Sequence, residues 1–122
     1  MSSVETALKE AMEIDGALGV ALVDVDSGMA LGMIGGGPVD LEIAAATNTE
    51  VVRAKGRAMN ALGIHEQIED ILITLETQYH LIRLLQRRQG PDLFLYLVLD
   101  KSRANLAMAR HRLRRAEADL VV

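Results

Sequence analysis

The stretch between residues 94 and 110 constrains the fold of this chain more than any other. Residues 94–99 form a continuous apolar run, Phe-Leu-Tyr-Leu-Val-Leu, which is typical of a strand buried on both faces. A polar turn at residues 100–103 follows, and a basic segment then repeats its apolar residues at helical spacing. A buried strand that leads directly into an amphipathic helix sets the architecture, because each element must bury its apolar surface against the others.

Composition narrows the class of protein. The 122 residues favour a single domain over residues 1–122, and the aromatic content of 2% requires a core of aliphatic side chains. The chain contains no cysteine, which excludes disulfides and thiolate metal sites. The N-terminus lacks the pattern of a secretory signal, and no segment approaches the roughly 20 apolar residues of a membrane span. We therefore expect a cytoplasmic protein without membrane insertion.

Charge is distributed unevenly along the chain. Residues 1–82 carry 13 acidic and 4 basic side chains, whereas residues 83–122 carry 4 acidic and 9 basic ones. We interpret the basic end first as a solvated helix face, with a nucleic-acid footprint as the alternative. The net charge of −4 and the lack of aromatic residues among the arginines argue against nucleic acid as a partner.

Periodicity and turn residues predict eight elements in the order helix, two strands, long helix, three strands, helix. They are predicted at residues 4–12, 18–23, 29–34, 41–62, 71–76, 79–85, 94–100 and 104–120. Ser2 and Glu5 match a capping box at the first helix, and the glycines at 35–37 before Pro38 are expected to form a flexible break. Mixed order with hairpins implies an α+β sandwich, an antiparallel sheet with helices on its faces.

The long helix at residues 41–62 is the most informative element for function. Asp40 is a suitable N-cap, and Gly63 suits the position after the C-terminus. Its polar residues share one narrow face: Glu42, Glu50, Arg53, Arg57 and Asn60. Apolar residues cover about 220° of the remaining circumference, whereas a helix with one buried side needs little more than about 100°.

The apolar residues of this helix divide into two sides. The first side contains Ile43, Ala44, Val51, Ala54, Ala58, Ala61 and Leu62. The second contains Leu41, Ala45, Val52, Gly56 and Met59, with Asn48 and Lys55 among them. One side covers the sheet of the same domain, and the other needs a further partner. A second chain is our main hypothesis for that partner, and the first helix of the same chain is the alternative.

No motif in the sequence indicates a reaction. The glycine run at residues 35–37 is not followed by the lysine that a phosphate-binding loop needs. The segment from residue 24 begins like a calcium loop, but its twelfth position is a glycine instead of a glutamate. No serine lies in a glycine-flanked elbow, and the three histidines lie on separate elements: His65, His80 and His111. We therefore predict no catalytic residue, no cofactor and no metal site, and we place His80 on a strand face.

Several segments together resemble the roadblock family, which is named after a dynein light chain. GALGVALVD at residues 16–24 resembles the family's opening hairpin, and ILITLE at 71–76 with YHLI at 79–82 resembles its middle hairpin. LYLVLD at 95–100 with ANLAMAR at 104–110 completes the resemblance, which extends over nearly the whole chain. The turn at Thr77 and Gln78 departs from the glycine-containing turn that is usual in the family.

This resemblance implies a profilin-like or longin-like α+β fold in the order α-β-β-α-β-β-β-α, with a central five-stranded antiparallel sheet. It also implies a homodimer in which two sheets join edge to edge and the long helices of the two chains pair. With the second side of the helix at residues 41–62, we therefore predict a dimer interface of nine residues: Leu41, Ala45, Asn48, Val52, Lys55, Gly56, Met59, Ile71 and Ile73.

The resemblance also implies a function. Members of the family act as non-catalytic regulators or scaffolds for small Ras-like GTPases, and one bacterial relative accelerates GTP hydrolysis in a polarity GTPase. It therefore implies a bacterial signalling protein that modulates a GTP cycle by ordering the GTPase's own catalytic residues. A dimeric adaptor without a GTPase and a small-ligand sensor are the alternatives. An arginine supplied in trans is a further alternative, with four candidates: Arg53, Arg57, Arg83 and Arg87.

Overall fold

The computed structural model describes residues 3–86 and 92–121. Its elements follow the predicted order. They are α1 (Val4–Met12), β1 (Ala17–Asp24), β2 (Ala30–Gly35), α2 (Leu41–Ala61), β3 (Asp70–Thr74), β4 (Gln78–Leu84), β5 (Leu93–Asp100) and α3 (Leu106–Asp119). Among these described residues, none of the helices combines the length and the apolar character that a membrane crossing requires.

All five strands form one antiparallel sheet in the order β2-β1-β5-β4-β3. β5 lies at the centre, hydrogen-bonded to β1 on one side and to β4 on the other, and residues 93–99 are all buried. The predicted α+β sandwich with a five-stranded antiparallel sheet is confirmed, and β5 is the doubly buried strand that its apolar run predicts. β2 and β3 form the two edges of the sheet.

Alternate residues of the strands face two separate core layers. The layer between the sheet and the helices α1 and α3 contains the four leucines of β5 at positions 93, 95, 97 and 99. The layer under α2 contains the residues of β5 between those leucines: Phe94, Tyr96 and Val98. The apolar stripe predicted on α3 is confirmed, because it buries Ala109, Leu113 and Ala116.

Two ion pairs attach α3 to the strands β3 and β4. The Nε of Arg83 in β4 donates to Oε1 of Glu117 at 2.8 Å. Arg110 donates to both carboxylate oxygens of Asp70, the first residue of β3, at 2.9 and 3.2 Å. Arg110 therefore helps to hold α3 on the sheet, which departs from the prediction that the basic residues form a solvated face.

Helix capping agrees with the prediction at α2 and differs at α1. The carboxylate of Asp40 accepts from the amides of the second and third residues of α2 at 3.0 and 3.2 Å. At α1 the N-cap is Ser3, whose hydroxyl accepts from the amide of Thr6 at 3.2 Å. The predicted cap Ser2 lies outside the described residues. Ser3 has an extended backbone, so α1 begins at Val4 as the predicted range of residues 4–12 has it, and only the cap differs from the predicted Ser2.

Two turns differ from their predictions. The glycine run at residues 35–37 forms a defined turn, in which all three residues have positive φ and the amide of Gly36 donates to the carbonyl of Leu18 at 2.8 Å. Positive φ is accessible to glycine because it lacks a Cβ atom. The turn between β3 and β4 comprises residues 75–77, since the amide of Leu75 donates to the carbonyl of Gln78 at 2.8 Å. Gln78 therefore belongs to β4. The sequence also predicts an exposed loop at residues 87–92, of which residues 87–91 lie outside the described residues.

Candidate protein-interaction surface

The helix α2 crosses one face of the sheet and then continues beyond its packing contacts. Its first half buries five residues, whereas none of residues 53–61 is buried. Arg53 lies at the transition, because its guanidinium donates to two carbonyl oxygens of the β1–β2 turn, each at 2.6 Å. A cleft of about 370 Å³ opens between the projecting half of α2 and the ends of β4 and β5. The second half of α2 therefore leaves most of its surface in solvent.

The side of α2 that we predict in the dimer interface is the side that packs on the sheet. Leu41, Ala45 and Val52, which we predict in the dimer interface, instead lie in the core layer under the helix. Side chains covered by their own sheet are not available to a second chain. The periodicity defines two apolar sides but does not say which meets the sheet. Here Ala45 and Ala21 of β1 are both fully buried in one cluster, and their small size suits close packing of helix and sheet.

The opposite side of α2 faces solvent. Of its members only Ala44 is buried. We call the remaining six residues the exposed side of α2: Ile43, Val51, Ala54, Ala58, Ala61 and Leu62. Ile43 and Leu62 keep 62% and 69% of their surface exposed. The exposed side of α2 is therefore an apolar surface that the described residues leave uncovered.

The other α2 residues of the predicted interface border the buried ones. Asn48, Gly56 and Met59 are half-buried, and Lys55 is exposed. Apart from its chain neighbours and the backbone of its own helix, no described residue has an atom within 4 Å of the position that a Cβ atom on Gly56 would occupy, so the helix surface is open there. Contact of these four residues with a second chain stays a prediction.

The two predicted interface residues outside α2 lie on the edge strand β3. Ile71 pairs with Ile82 and Ile73 with His80 of β4. Both isoleucines are half-buried, and Ile71 packs against the core layer under α2. Because opposite residues in an antiparallel pair share a face, the structure brings both isoleucines to the face of the sheet that α2 covers. Their contact with a second chain also stays a prediction.

A polar network lies on this same face, next to β3. The hydroxyl of Tyr96 donates to Nδ1 of His80 at 2.9 Å, and Nε2 of His80 donates to the amide oxygen of Gln78 at 2.9 Å. This direction follows because an amide oxygen only accepts, which places the proton of the neutral imidazole on Nε2. The side-chain amide of Asn48 in α2 donates to the carbonyl of Ala44 at 2.8 Å. The rings of His80 and Tyr96 also meet edge to face, with centroids 5.5 Å apart. The network therefore links the strands β4 and β5 on the face of the sheet that α2 covers.

Burial sets the protonation of this network. It lowers the pKa of the His80 imidazole below its ordinary value, because the cation loses hydration. It raises the pKa of the Tyr96 phenol, and the polar side chain of Asn48 nearby acts in the opposite direction. Both side chains are consequently neutral near pH 7, which is the state that the observed hydrogen bonds require.

The candidate arginines differ in availability. Arg53 is bonded to the β1–β2 turn, and Arg83 is paired with Glu117. Arg87 lies outside the described residues. Arg57 is exposed on the projecting half of α2 and forms no ion pair with the described residues. Arg57 is therefore the described candidate whose guanidinium is placed to reach another protein.

Sequence reasoning placed His80 on a strand face, as the structure has it, but missed its partners. Gln78 and His80 lie two positions apart on β4, so both side chains point to the same face of the sheet. This spacing is the feature of the sequence that could have indicated their contact. Tyr96 is distant in sequence, so its contact with His80 depends on the β4–β5 register. Among residues 3–86 and 92–121, no three histidine, aspartate or glutamate side chains converge to hold a metal ion.

No protein-family model and no curated protein matches the sequence. Solved structures match its fold. A Roadblock/LC7 domain from Streptomyces avermitilis has a TM-score of 0.81 at 12% identity, covering 96% of this chain and 93% of that one. The gliding protein MglB from Thermus thermophilus has a TM-score of 0.77 at 20% identity, covering 93% and 82%. An MglB in a tetrameric arrangement has a TM-score of 0.78 at 20% identity, covering 93% and 81%.

The chain therefore has the Roadblock/LC7 fold. The resemblance drawn from residues 16–24, 71–82 and 95–110 is confirmed at the level of the fold. The structural neighbours include MglB proteins from Thermus thermophilus and Myxococcus xanthus, the latter with a TM-score of 0.74 at 18% identity.

Proposed function

We propose that this chain is a non-catalytic cytoplasmic scaffold that forms a homodimer through the exposed side of α2 and the edge strand β3. The exposed side of α2 carries the proposal. Its large aliphatic residues, Ile43, Val51 and Leu62, remain in solvent within the described chain. Exposed apolar surface of this kind marks an interaction site. Its three alanines, Ala54, Ala58 and Ala61, would allow two helices to approach closely.

The edge strand β3 offers a second surface for pairing. Its outer side is unpaired within the described residues, and an unpaired strand edge is a template for another strand. In a two-fold dimer the same patch serves both subunits, so α2 would face α2 and β3 would face β3. This arrangement retains Asn48, Lys55, Gly56, Met59, Ile71 and Ile73 as predicted contacts at or beside the interface.

We further propose that the dimer binds a small Ras-like GTPase and modulates its GTP cycle. The support is the fold shared with Roadblock/LC7 domains and MglB, together with the function that the family resemblance implies. A scaffold regulates such an enzyme by ordering residues that the GTPase itself supplies, because phosphoryl transfer depends mainly on positioning and electrostatics. An adaptor without a GTPase is the alternative. The small-ligand sensor has less support, because the cleft beside α2 is open to solvent.

The dimer is tested by placing a charge on the exposed side of α2. Ala58→Glu would bring like charges together across a two-fold interface, which costs several kcal/mol and weakens the dimer at least about 100-fold. Ala46→Glu is the matched control, because Ala46 is also an exposed alanine of α2 but lies beside the β1–β2 turn. Sedimentation equilibrium should give a dimer for the wild type and Ala46→Glu, and a monomer for Ala58→Glu. Equal dimerisation of all three proteins would contradict the proposed interface.

The GTPase partner is tested with small Ras-like GTPases encoded near this gene. Each is loaded with GDP or with a non-hydrolysable GTP analogue, and its affinity for the scaffold is measured by calorimetry. We expect binding that differs between the two nucleotide states, and a change in the GTP hydrolysis rate. Absence of binding in both states, with a dimer intact, would leave the adaptor as the function of the chain.

A further inference from the structure

His80 differs from the other two histidines of the chain in its surroundings. His65 and His111 are exposed, whereas His80 is half-buried between Tyr96 of β5 and Gln78 of its own strand. Its Nδ1 accepts from the Tyr96 hydroxyl and its Nε2 donates to Gln78, each at 2.9 Å. The first of these bonds requires that Nδ1 carries no proton. The two hydrogen bonds together therefore require a neutral imidazole.

Protonation of His80 breaks this arrangement. A cationic imidazole donates through both ring nitrogens, so the hydroxyl of Tyr96 loses its acceptor and must turn its proton away. Tyr96 is buried, and a buried donor without a partner costs free energy. The cation therefore depends on water that reaches the exposed part of the His80 ring. The lowered pKa of His80 has the same direction, because burial already removes part of that hydration.

The position of His80 in the sheet connects it to the edge strand β3. His80 lies directly opposite Ile73 of β3 on one side and Val98 of β5 on the other. Opposite residues of an antiparallel pair share a face, and their Cβ atoms lie about 4.5–5.5 Å apart. Apolar side chains therefore border the ring on both neighbouring strands. A protein that covers Ile73 from this face also removes water from His80.

The charged residues of the surrounding elements form no ion pair with His80 among the described residues. Asp100 lies on the same face of β5, but its carboxylate accepts from the amide and the hydroxyl of Ser102. The remaining charged groups are exposed, as are Glu76 of the β3–β4 turn and Lys55 of α2, or are paired with α3, as are Asp70 of β3 and Arg83 of β4. Histidine is the side chain that ordinarily titrates between about pH 5 and 8, so a response of this face in that range points to His80.

We propose that the homodimer at β3 is acid-sensitive, because its assembly covers His80 and admits only the neutral imidazole. This inference rests on the homodimer proposed above. In the single chain, a protonated His80 keeps water on the exposed part of its ring, and the partner chain removes that water. A two-fold axis places one His80 of each chain at the interface, so up to two protons leave for each dimer that forms in acid.

The pH dependence of dimerisation tests this proposal. In sedimentation equilibrium, Kd of the wild-type dimer should be about tenfold or more higher at pH 5.0 than at pH 7.5, since two linked protons raise log Kd by up to about two for each unit of falling pH. His80→Gln should remove most of this response, because glutamine offers both an acceptor and a donor but does not titrate. His111→Gln is the matched control, since His111 is an exposed histidine of α3 on the opposite side of the sheet, and it should respond like the wild type.

The outcomes separate this inference from the dimer on which it rests. A wild-type chain that is monomeric at pH 7.5 overturns both. A dimer with the same Kd at the two pH values overturns the acid sensitivity alone. A wild-type response that persists unchanged in His80→Gln overturns the role of His80.

A second measurement leaves His80 unchanged. The Ala58→Glu monomer and the Ala46→Glu dimer are titrated by NMR, and the imidazole signals of His80 are followed, with the exposed His111 as an internal reference. The pKa of His80 should be lower in the dimer than in the monomer, because only the dimer covers the ring. Equal pKa values of His80 in the two proteins overturn the proposal.

Discussion

Glu117 of α3 holds two groups of the sheet, so its replacement measures what the buried ion pair contributes. Its Oε1 accepts from Arg83 at 2.8 Å, and its Oε2 accepts from the amide of Gln86 at 2.8 Å. The side chains of Arg83 and Glu117 keep 10% and 13% of their surface exposed. Glu117→Leu removes the anion and leaves a guanidinium with little access to water.

The size of the effect follows from this burial. Breaking a buried pair by removing one partner costs about 3–5 kcal/mol, and the remaining exposure places this site near the lower limit. A loss of about 3 kcal/mol is a large share of the roughly 5–15 kcal/mol that stabilises a domain, and it lowers Tm by about 10 °C. Arg83→Met with Glu117→Leu removes both charges and should cost less than either single change, because neither ion is left unpaired.

A double-mutant cycle measures the coupling between Arg83 and Glu117. It compares the free energies of unfolding in urea of the wild type, the two single variants and the double variant. Lys9→Ala is the control, since the Lys9–Glu5 pair is exposed and should contribute about 0.5 kcal/mol or less. If the double variant loses the sum of the two single losses, the pair is not coupled and the reasoning is refuted. A loss of less than about 1 kcal/mol in Glu117→Leu would refute it as well.

Three further outcomes are expected. Burial lowers the pKa of His80 in the folded state, so the unfolded chain binds a proton more readily than the folded one. The free energy of unfolding should therefore fall as the pH drops below about 6.5. Urea midpoints at pH 7.5 and 5.5 should differ less in His80→Gln than in the wild type. Gly19→Ala should lower the free energy of unfolding by about 2–3 kcal/mol, because the new Cβ would lie 2.6 Å from the backbone of Gly36. Gly56→Ala places its Cβ in open space and should raise the free energy of unfolding by about 0.5–1 kcal/mol. Thermal unfolding compares the two variants. Arg57→Ala should change GTPase stimulation less than about tenfold in single-turnover assays, since loss of a true arginine finger costs about 10³–10⁵.

The element order was predictable because the strongest patterns are local. The apolar run of β5 and the stripe of α3 are each visible within one segment, and the structure places both as predicted. The helix α1 begins at Val4 as predicted, but its cap and the β3–β4 turn lie one or two residues from their predicted positions, since caps and turns depend on single hydrogen bonds.

The interaction surface was less predictable because it depends on three-dimensional packing. The two apolar sides of α2 are chemically similar, and only the packing of Leu41, Ala45 and Val52 in the core layer shows which one is covered. The link between His80 and Tyr96 needs the β4–β5 register, which no local pattern encodes. That α2 is an interaction helix stays a prediction, and three of the residues predicted in its interface lie in the core instead.

The strand order has a consequence for how the chain folds during synthesis. β1 and β5 are neighbours at the centre of the sheet, yet about 70 residues of chain separate them, which a ribosome produces in about 4–14 s at about 5–20 residues/s. Until β5 emerges, the β1–β2 hairpin has no central partner, and its buried residues stay accessible. Nascent chains truncated before residue 93 should therefore bind holdase chaperones, and release should coincide with the appearance of the apolar run that completes the sheet.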